Sequence, residues 1–201
     1  MNFGVWKLFV LFLLVHGEIN AQVPQERHVL YQLVLEDFIK SGVAEQSTGF
    51  GIVDSTCQAV YYGGFADSVN KKYFGFDANN YIDGELFRRN FVDATEETEM
   101  VPLEVIADKG LIRIQKEAYR KCFTAPKESQ IILTEKGFDK LNKLYQTAIY
   151  CEFSLPFFYN DHTVLIYFNY QDGLENDFPN VYLLVRKNQV WGIVERLRSW
   201  S

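Results

Sequence analysis

The sequence predicts an α+β fold in a single domain. Four runs rich in β-branched and aromatic residues occupy the C-terminal third of the 201-residue chain, and amphipathic segments precede them. These runs are residues 148–154, 163–170, 180–187 and 190–200. No Pro-, Gly- or Ser-rich linker interrupts the chain. We therefore expect an antiparallel β-meander of about four strands in the C-terminal part, covered by helices that come earlier in the chain.

Two segments carry an apolar stripe at helical spacing. In residues 25–40 a helix is expected to bury one face against the sheet. Its stripe consists of Val29, Leu30, Leu33, Val34, Phe38 and Ile39. A second helix is predicted at residues 134–145, although Gly137 lowers its helical propensity. Shorter helices are predicted at residues 83–91 and 117–123.

Several shorter strands and turns complete the prediction. Short strands are predicted at residues 51–53 and 58–62, and a hairpin is predicted from residues 101–107 and 111–115, joined by Asp108-Lys109-Gly110. In the C-terminal third, the connections at residues 156–162 and 188–189 fit hairpins.

The last third also indicates how the sheet is covered. Runs such as VLIYFNY and VYLLV are apolar at successive positions, so both faces of the sheet should be buried. A curved sheet with an N-terminal helix would also fit an NTF2-like cone, an alternative that depends on analogy alone.

Residues 1–22 have the layout of a secretory signal peptide. A single basic residue, Lys7, precedes an unbroken apolar run over residues 8–15, and the exit carries a small residue at either Gly17 or Ala21. The apolar run is much shorter than the roughly 20 residues that a membrane-spanning helix needs. We expect a secreted or periplasmic protein whose mature domain is residues 23–201, with no membrane span after cleavage.

Composition excludes some functions and indicates others. The net charge is −6, with 26 acidic and 20 basic residues, which argues against a nucleic-acid partner because phosphate contact needs a basic surface. Charge is also segregated: residues 77–108 are strongly acidic and residues 109–127 are basic. Blocks of opposite sign can pair inside the fold or form two patches for a partner, and we favour internal pairing.

The chain has three cysteines, Cys57, Cys122 and Cys151, in no zinc-binding spacing. An odd number leaves at least one thiol without a partner within the chain. Cys57 and Cys151 lie in apolar runs, where a free cysteine behaves as a small hydrophobic residue.

The C-terminal residues resemble a known group of proteins. The segment Phe153-Ser154-Leu155-Pro156-Phe157-Phe158, the Trp191 strand with Ile193-Val194, and the ending Ser199-Trp200-Ser201 are similar to a family of uncharacterised secreted proteins of Gram-negative bacteria. The resemblance covers about 50 residues. This chain departs from the family at residues 171–176, where family members often carry a Gly/Cys-rich turn. The family has no assigned activity, so the resemblance implies secretion and a shared fold only.

One catalytic candidate lies in the predicted hairpin after residue 148. Ser154 ends one strand and Asp161-His162 precedes the next, so pairing of the two strands would bring a serine, a histidine and an aspartate near one another. The alternative is an ordinary turn with an exposed histidine. No G-x-S-x-G elbow is present, and the sequence favours the turn.

A candidate calcium site lies in the oxygen-rich segment around residue 80. Its possible ligands are Asp77, Asn79, Asp83 and Glu85. The segment does not satisfy the EF-hand pattern, because the positions that need a glycine and a bidentate glutamate hold Ile82 and Arg88. We therefore assign no metal and no cofactor.

The sequence does not identify an activity. Aromatic residues crowd the segment 61–81, where exposed rings would suit a glycan or protein partner and buried rings would be ordinary core. The sequence favours an exported, acidic, non-enzymatic binding or envelope-associated module. The alternative is a hydrolase that acts on envelope or extracellular polymers.

Overall fold

The fold is known from a computed structural model that describes most of the C-terminal half and selected parts of the rest. The described residues are 26–41, 50–57, 91, 93–95, 98–102, 105, 111–121, 123–124, 132–133, 135–147, 149–172 and 177–198. The predicted strand at 58–62 and most of the predicted helix at 83–91 lie outside them, as do the candidate calcium ligands.

The bounds of three helices and nine strands are described, and Phe91, Asp93, Ala94 and Val105 are helical as well. The helices are α1 (26–40), α2 (Lys116–Arg120) and α3 (Glu135–Tyr145). The strands are β1 (Phe50–Val53), β2 (Ile112–Ile114), β3 (Phe123–Thr124), β4 (Ile132–Leu133), β5 (Ile149–Phe153), β6 (Phe157–Asn160), β7 (Thr163–Asp172), β8 (Asp177–Lys187) and β9 (Val190–Arg198). The helices predicted at 25–40 and 134–145 are confirmed. The short helix α2 covers only part of the predicted 117–123, because Phe123 belongs to β3.

The main sheet is open, mixed and seven-stranded. Its order is β2-β1-β5-β7-β8-β9, and β6 also pairs with β7. From β5 and β6 onward every pair is antiparallel, as predicted, but β1 pairs in parallel with both β5 and β2. The α+β class is compatible with this architecture. The expectation of a plain four-stranded meander is corrected, because strands from before α3 extend the sheet at the β5 edge.

The hairpin predicted from residues 101–107 and 111–115 is wrong. Val101 and Pro102 are not in a strand, Val105 is helical, and β2 pairs with β1 instead. The physical reason is burial: parallel pairing with β1 places the Ile114 side chain in the core, where it is fully buried. The backbone N–H of Val101 is satisfied by the carbonyl of Asp54, 3.0 Å away.

The predicted connection at 156–162 contains a strand. β6 continues the direction of β5 along the same edge of β7, and the register slips by one residue between the pairs Phe153–Phe168 and Phe157–Leu165. The hairpin predicted in this region is confirmed, with its turn at Asp161 and His162.

The last hairpin joins β8 and β9 through two residues. Asn188 and Gln189 have φ values of 51° and 64°, the left-handed conformation that two-residue hairpin turns of type I′ require. The connection predicted at 188–189 is therefore confirmed.

Both faces of the sheet are buried, as the apolar runs predicted. Helix α1 packs on one face, where its buried residues contact alternate side chains of the strands. This cluster includes Leu30, Val34, Leu35 and Phe38 of α1 with Ile52, Cys151, Phe153, Ile166, Phe168 and Tyr182. On the opposite face α2 and α3 contribute Tyr119 and Leu141, which pack with Val53, Ile114 and Tyr150.

Among the described residues, no helix has the length and apolar character needed to cross a membrane.

Candidate functional site

The candidate site lies where β1 and β2 end. Because the two strands are parallel, their carboxyl ends meet at one edge of the sheet. Asp54 and Ser55 follow β1 there, and Gln115 and Lys116 follow β2. The carboxyl ends of parallel strands are the usual position of ligand sites in sheets that contain them.

Asp54 organises this edge. Its side chain is buried, at 5% exposure, and one oxygen, Oδ2, accepts hydrogen bonds from Arg113 Nε at 2.9 Å and Nη2 at 2.8 Å. The other oxygen, Oδ1, accepts the backbone N–H of Lys116 at 3.1 Å. A buried carboxylate needs such compensation to remain charged. Asp54 therefore holds both the Arg113 guanidinium and the first turn of α2 in place.

Lys116 extends its ammonium group back to the loop that follows β1. Its Nζ lies 3.0 Å from the hydroxyl oxygen of Ser55 and 3.1 Å from the carbonyl oxygen of Thr56. Desolvation lowers the pKa of Lys116, and the neighbouring charge of Arg120 lowers it further. The lysine is thus more readily deprotonated than an ordinary surface lysine.

A segment around Glu99 forms the wall beside Ser55 and Thr56. The backbone N–H of Thr56 donates to the Glu99 carbonyl at 2.8 Å, the Glu99 N–H donates to Thr56 Oγ1 at 2.8 Å, and Ser55 pairs with Met100 in an antiparallel bridge. The Glu99 carboxylate binds Arg27 of α1. The wall is therefore tied both to the loop after β1 and to the first helix.

These groups line an open polar pocket of about 560 Å³. Its lining residues are Asp54, Ser55, Thr98, Glu99, Met100, Arg113, Gln115, Lys116, Glu117 and Arg120. Two of the three acidic residues, Asp54 and Glu99, are already paired with arginines. In the described part of the chain, no carboxylate forms an ion pair with Lys116 or Arg120. The pocket therefore offers the Arg120 guanidinium to a ligand beside the Lys116 amine, with Glu117 as the remaining acid.

The charge blocks of the sequence meet at this pocket, but not as predicted. Glu99 comes from the acidic block, whereas Arg113 and Lys116 come from the basic block. Instead of pairing with each other, Glu99 pairs with Arg27 and Arg113 pairs with Asp54. Acidic and basic residues from outside the two blocks therefore neutralise them at this point.

The structure does not bring Ser154 and His162 together. Ser154 is fully buried, and its backbone N–H bonds to the Tyr167 carbonyl at 2.9 Å, whereas His162 lies exposed in the turn before Thr163. Thr163 and Tyr167 are four positions apart along an extended strand, which is about 13 Å. Asp161 lies in the same exposed turn.

The hydroxyl of Ser154 has a structural use instead. It accepts the backbone N–H of Tyr167 at 3.0 Å and donates to the Leu155 carbonyl at 2.9 Å. Both bonds form where the pairing register of β7 changes between β5 and β6. The Ser154 side chain therefore replaces a backbone hydrogen bond of the sheet that is lost at this irregularity.

Cys151 is a free thiol. Cys151 is buried in the α1-facing cluster, as predicted, and burial raises the pKa of its thiol. Cys122 and the candidate calcium ligands Asp77, Asn79, Asp83 and Glu85 lie outside the described residues. Within those residues, no cluster of three or more His, Cys, Asp or Glu side chains has a metal-binding arrangement.

Sequence reasoning did not find the pocket. The available signal was a pair of polar segments, Asp54-Ser55-Thr56 and Gln115-Lys116, each directly after a short apolar strand. Their meeting depends on the parallel pairing of β1 with β2, which the predicted hairpin excluded.

Comparison of the chain with protein-family models, with curated proteins and with solved structures gives no match. Any functional conclusion therefore depends on the geometry of the pocket itself.

Proposed function

We propose that the protein is an exported binding module whose pocket takes a small, hydrophilic, acidic glycan unit. The observation that carries this proposal is the Arg120 guanidinium, which forms no ion pair within the described residues, on a pocket of about 560 Å³. Pockets of 300–1,000 Å³ are typical of small-molecule sites, and a carboxylate or phosphate on the ligand would find a cationic partner there.

The polar wall supports a sugar rather than an apolar ligand. The Ser55 and Thr98 hydroxyls and the Gln115 amide offer donors and acceptors to ligand hydroxyl groups. Met100 is the one apolar side chain among the lining residues. An apolar ligand would leave these polar groups without partners, which is costly once water is displaced.

Export is the second part of the proposal. It is supported by the layout of residues 1–22, and the resemblance to secreted proteins of Gram-negative bacteria agrees with it. The site of action would then be periplasmic or extracellular, where acidic sugars are accessible. N-terminal sequencing of the exported protein tests this part, since material that retains Met1 would contradict it.

The binding proposal is tested by calorimetric titration at low salt. The ligands are D-galacturonic acid and D-glucose 6-phosphate, with D-galactose and D-glucose as neutral controls. We expect the acidic sugars to bind more tightly than the neutral ones, and 0.5 M NaCl to weaken their binding. Arg120→Ala should weaken acidic-sugar binding about tenfold, whereas Lys136→Ala, which removes an exposed cation on α3, should leave it unchanged. Absence of acidic-sugar binding, or equal binding of acidic and neutral sugars, would overturn the proposal.

A hydrolase remains the second candidate function, and one observation favours it. The Ser55 hydroxyl lies within hydrogen-bond distance of a lysine amine on the same pocket. This pair replaces the combination of Ser154, Asp161 and His162 that the sequence offered.

A further inference from the structure

We propose that Ser55 and Lys116 form a nucleophile–base pair, in which Ser55 Oγ accepts an acyl group from an ester or amide carried by a ligand in the pocket. The inference rests on the pocket of the proposed function but goes beyond binding. Serine–lysine pairs are an established variant of the nucleophile and general-base arrangement.

The contacts of Lys116 satisfy what a neutral amine needs. Such an amine has two N–H donors and one lone pair. In this structure Nζ lies 3.1 Å from the Thr56 carbonyl, which can only accept, and 3.0 Å from Ser55 Oγ, which can donate. In the structure Nζ donates to both oxygen atoms. When the amine is neutral, its N–H bond to the carbonyl keeps the base in place and its lone pair accepts the Ser55 proton.

Neighbouring groups set the protonation of Lys116. Desolvation and Arg120 lower its pKa, while the charges of Glu117, Glu152 and Cys57 act in the opposite direction. The pKa remains below that of an ordinary lysine, so a larger fraction of the amine is neutral at a given pH.

The backbone around Ser55 is held on both sides. Before Ser55, the Asp54 N–H donates to the Ile114 carbonyl at 2.9 Å, and after it, the Thr56 N–H donates to the Glu99 carbonyl at 2.8 Å. Ser55 itself is 7% exposed and lines the pocket. A fixed nucleophile of this kind reduces the entropic cost of the attack.

In the proposed reaction, Lys116 takes each proton released by a nucleophile and returns it to the group that leaves. Ser55 Oγ attacks the carbonyl carbon and gives its proton to Lys116 Nζ, and the carbonyl electron pair moves to oxygen. Collapse of this intermediate breaks the bond to the leaving alcohol or amine, which takes the proton from Lys116. Water then attacks the acyl-serine by the same route and releases the acid, which restores both side chains.

Arg113 supplies a charge for the developing oxyanion. Asp54 occupies its Nε and Nη2, and Nη1 has no hydrogen-bond partner in the described part of the chain. The guanidinium lines the same pocket and is held rigidly, as transition-state stabilisation requires.

The test is covalent labelling of the full mature chain with a fluorophosphonate, which phosphonylates an activated serine and releases fluoride. Peptide mass spectrometry is expected to place the adduct on Ser55. The labelling rate should rise with pH, with a midpoint below the ordinary lysine pKa of about 10.4. Ser55→Ala should abolish labelling. Lys116→Arg, which keeps the charge but removes the base, should slow labelling at least 100-fold, and Lys140→Ala should not change it.

Two results would overturn the proposal: no adduct on Ser55 in the folded protein, or equal labelling of the wild-type protein and Lys116→Arg. Circular dichroism shows whether each variant is folded, and galacturonate titration on the same samples separates the two claims. Intact acidic-sugar binding without labelling would reject the serine–lysine pair alone. Labelling without acidic-sugar binding would reject the proposed ligand and retain the pair.

Discussion

Two nitrogen atoms of Arg113 donate to a single oxygen of Asp54, at 2.9 and 2.8 Å. The same carboxylate also accepts the backbone N–H at the start of α2. Asp54 thus connects the end of β1 to the end of β2 and to the helix that carries Lys116.

Asp54→Ala should destabilise the fold by about 2–3 kcal/mol, because hydrogen bonds to a buried charged group are among the costlier ones to remove. Urea unfolding measures this change. Glu117→Gln is the control, since it neutralises an exposed acid of the same pocket and should change stability by less than about 0.5 kcal/mol. Equal effects of the two substitutions would show that Asp54 does not organise this edge.

Gly51 should be intolerant of a side chain. A Cβ built there lies 2.8 Å from Cγ1 of the buried Ile114 and closer still to its Cδ1. Gly51→Ala should therefore cost about 1–3 kcal/mol through overpacking between β1 and β2. Gly192→Ala in β9 is the matched control, because nothing lies within 4 Å of its Cβ position. A thermal melt that shifts equally for both variants would contradict this explanation.

Ser154→Ala should reduce stability without affecting chemistry. The substitution leaves the buried N–H of Tyr167 without its acceptor, at an expected cost of about 1–3 kcal/mol. His162→Ala, at an exposed turn position, should change stability by less than about 0.5 kcal/mol. Fluorophosphonate labelling of Ser55 should be the same in both variants as in the wild-type protein. Loss of labelling in His162→Ala would show that the turn after Ser154 takes part in the chemistry, and would contradict a purely structural role.

Stability should fall at alkaline pH because of two buried tyrosines. Burial raises the pKa of Tyr31 and of Tyr182 above the ordinary value of 10.0. Above that value the unfolded chain releases the phenol protons while the folded chain retains them, so the free energy of unfolding decreases as pH rises. The double variant Tyr31→Phe with Tyr182→Phe should show a smaller decrease between pH 10 and 11 in urea titrations.

Between pH 7 and 9 these phenols remain protonated in both states, so the double variant and the wild-type protein should differ there by a constant offset. If the free energies of unfolding of the two proteins still differed by the same amount at pH 11, the two tyrosines would not be the cause of the alkaline loss of stability. The phenol of Tyr182 also donates to Asp37 Oδ2 at 3.1 Å, and that of Tyr31 donates to the Ser154 carbonyl at 3.2 Å. Both bonds contribute to the offset.

Glu26 should be the main attachment of the first turn of α1 to the last hairpin. Its Oε1 accepts from Arg186 Nη1 at 2.8 Å and from Trp191 Nε1 at 2.9 Å. The Arg186 guanidinium also lies over the Trp191 ring, 5.2 Å from its centroid. Glu26→Ala should cost about 1–3 kcal/mol and should raise amide hydrogen exchange at the start of α1.

Lys40→Ala is the comparison for that experiment. Lys40 pairs with Glu36 at 3.8 Å on the surface of the same helix, and such a pair contributes about 0.3–0.5 kcal/mol. A Glu26→Ala variant no less stable than Lys40→Ala would show that the attachment lies elsewhere.

Part of the fold follows from local patterns in the sequence. The stripe of α1, the stripe of α3 and the doubly apolar strands predicted their elements and the burial of both sheet faces, because periodicity records which side of each element is buried. The two-residue turn at Asn188 and Gln189 was predicted from the short polar connection between two apolar runs. These features depend on neighbours in sequence.

The candidate site depends on pairing between distant segments. Residues 50–57 and 111–120 are more than 50 positions apart, and only the parallel alignment of β1 with β2 brings Ser55 and Lys116 within 3.0 Å. The order of apolar residues in a strand does not specify which strand it pairs with or in which direction. The turn signal at Asp108-Lys109-Gly110 therefore led to the wrong partner for residues 111–115.

The sequence by itself determined helices α1 and α3, the C-terminal antiparallel strands and the net charge of −6, and it predicts an export signal. The tertiary structure alone decided that Asp54 is buried and paired, that Lys116 faces Ser55, and that Ser154 is a structural serine remote from His162. The physical reason is that local periodicity is set by burial of one face, whereas a site of this kind is assembled from long-range backbone pairing and from desolvation.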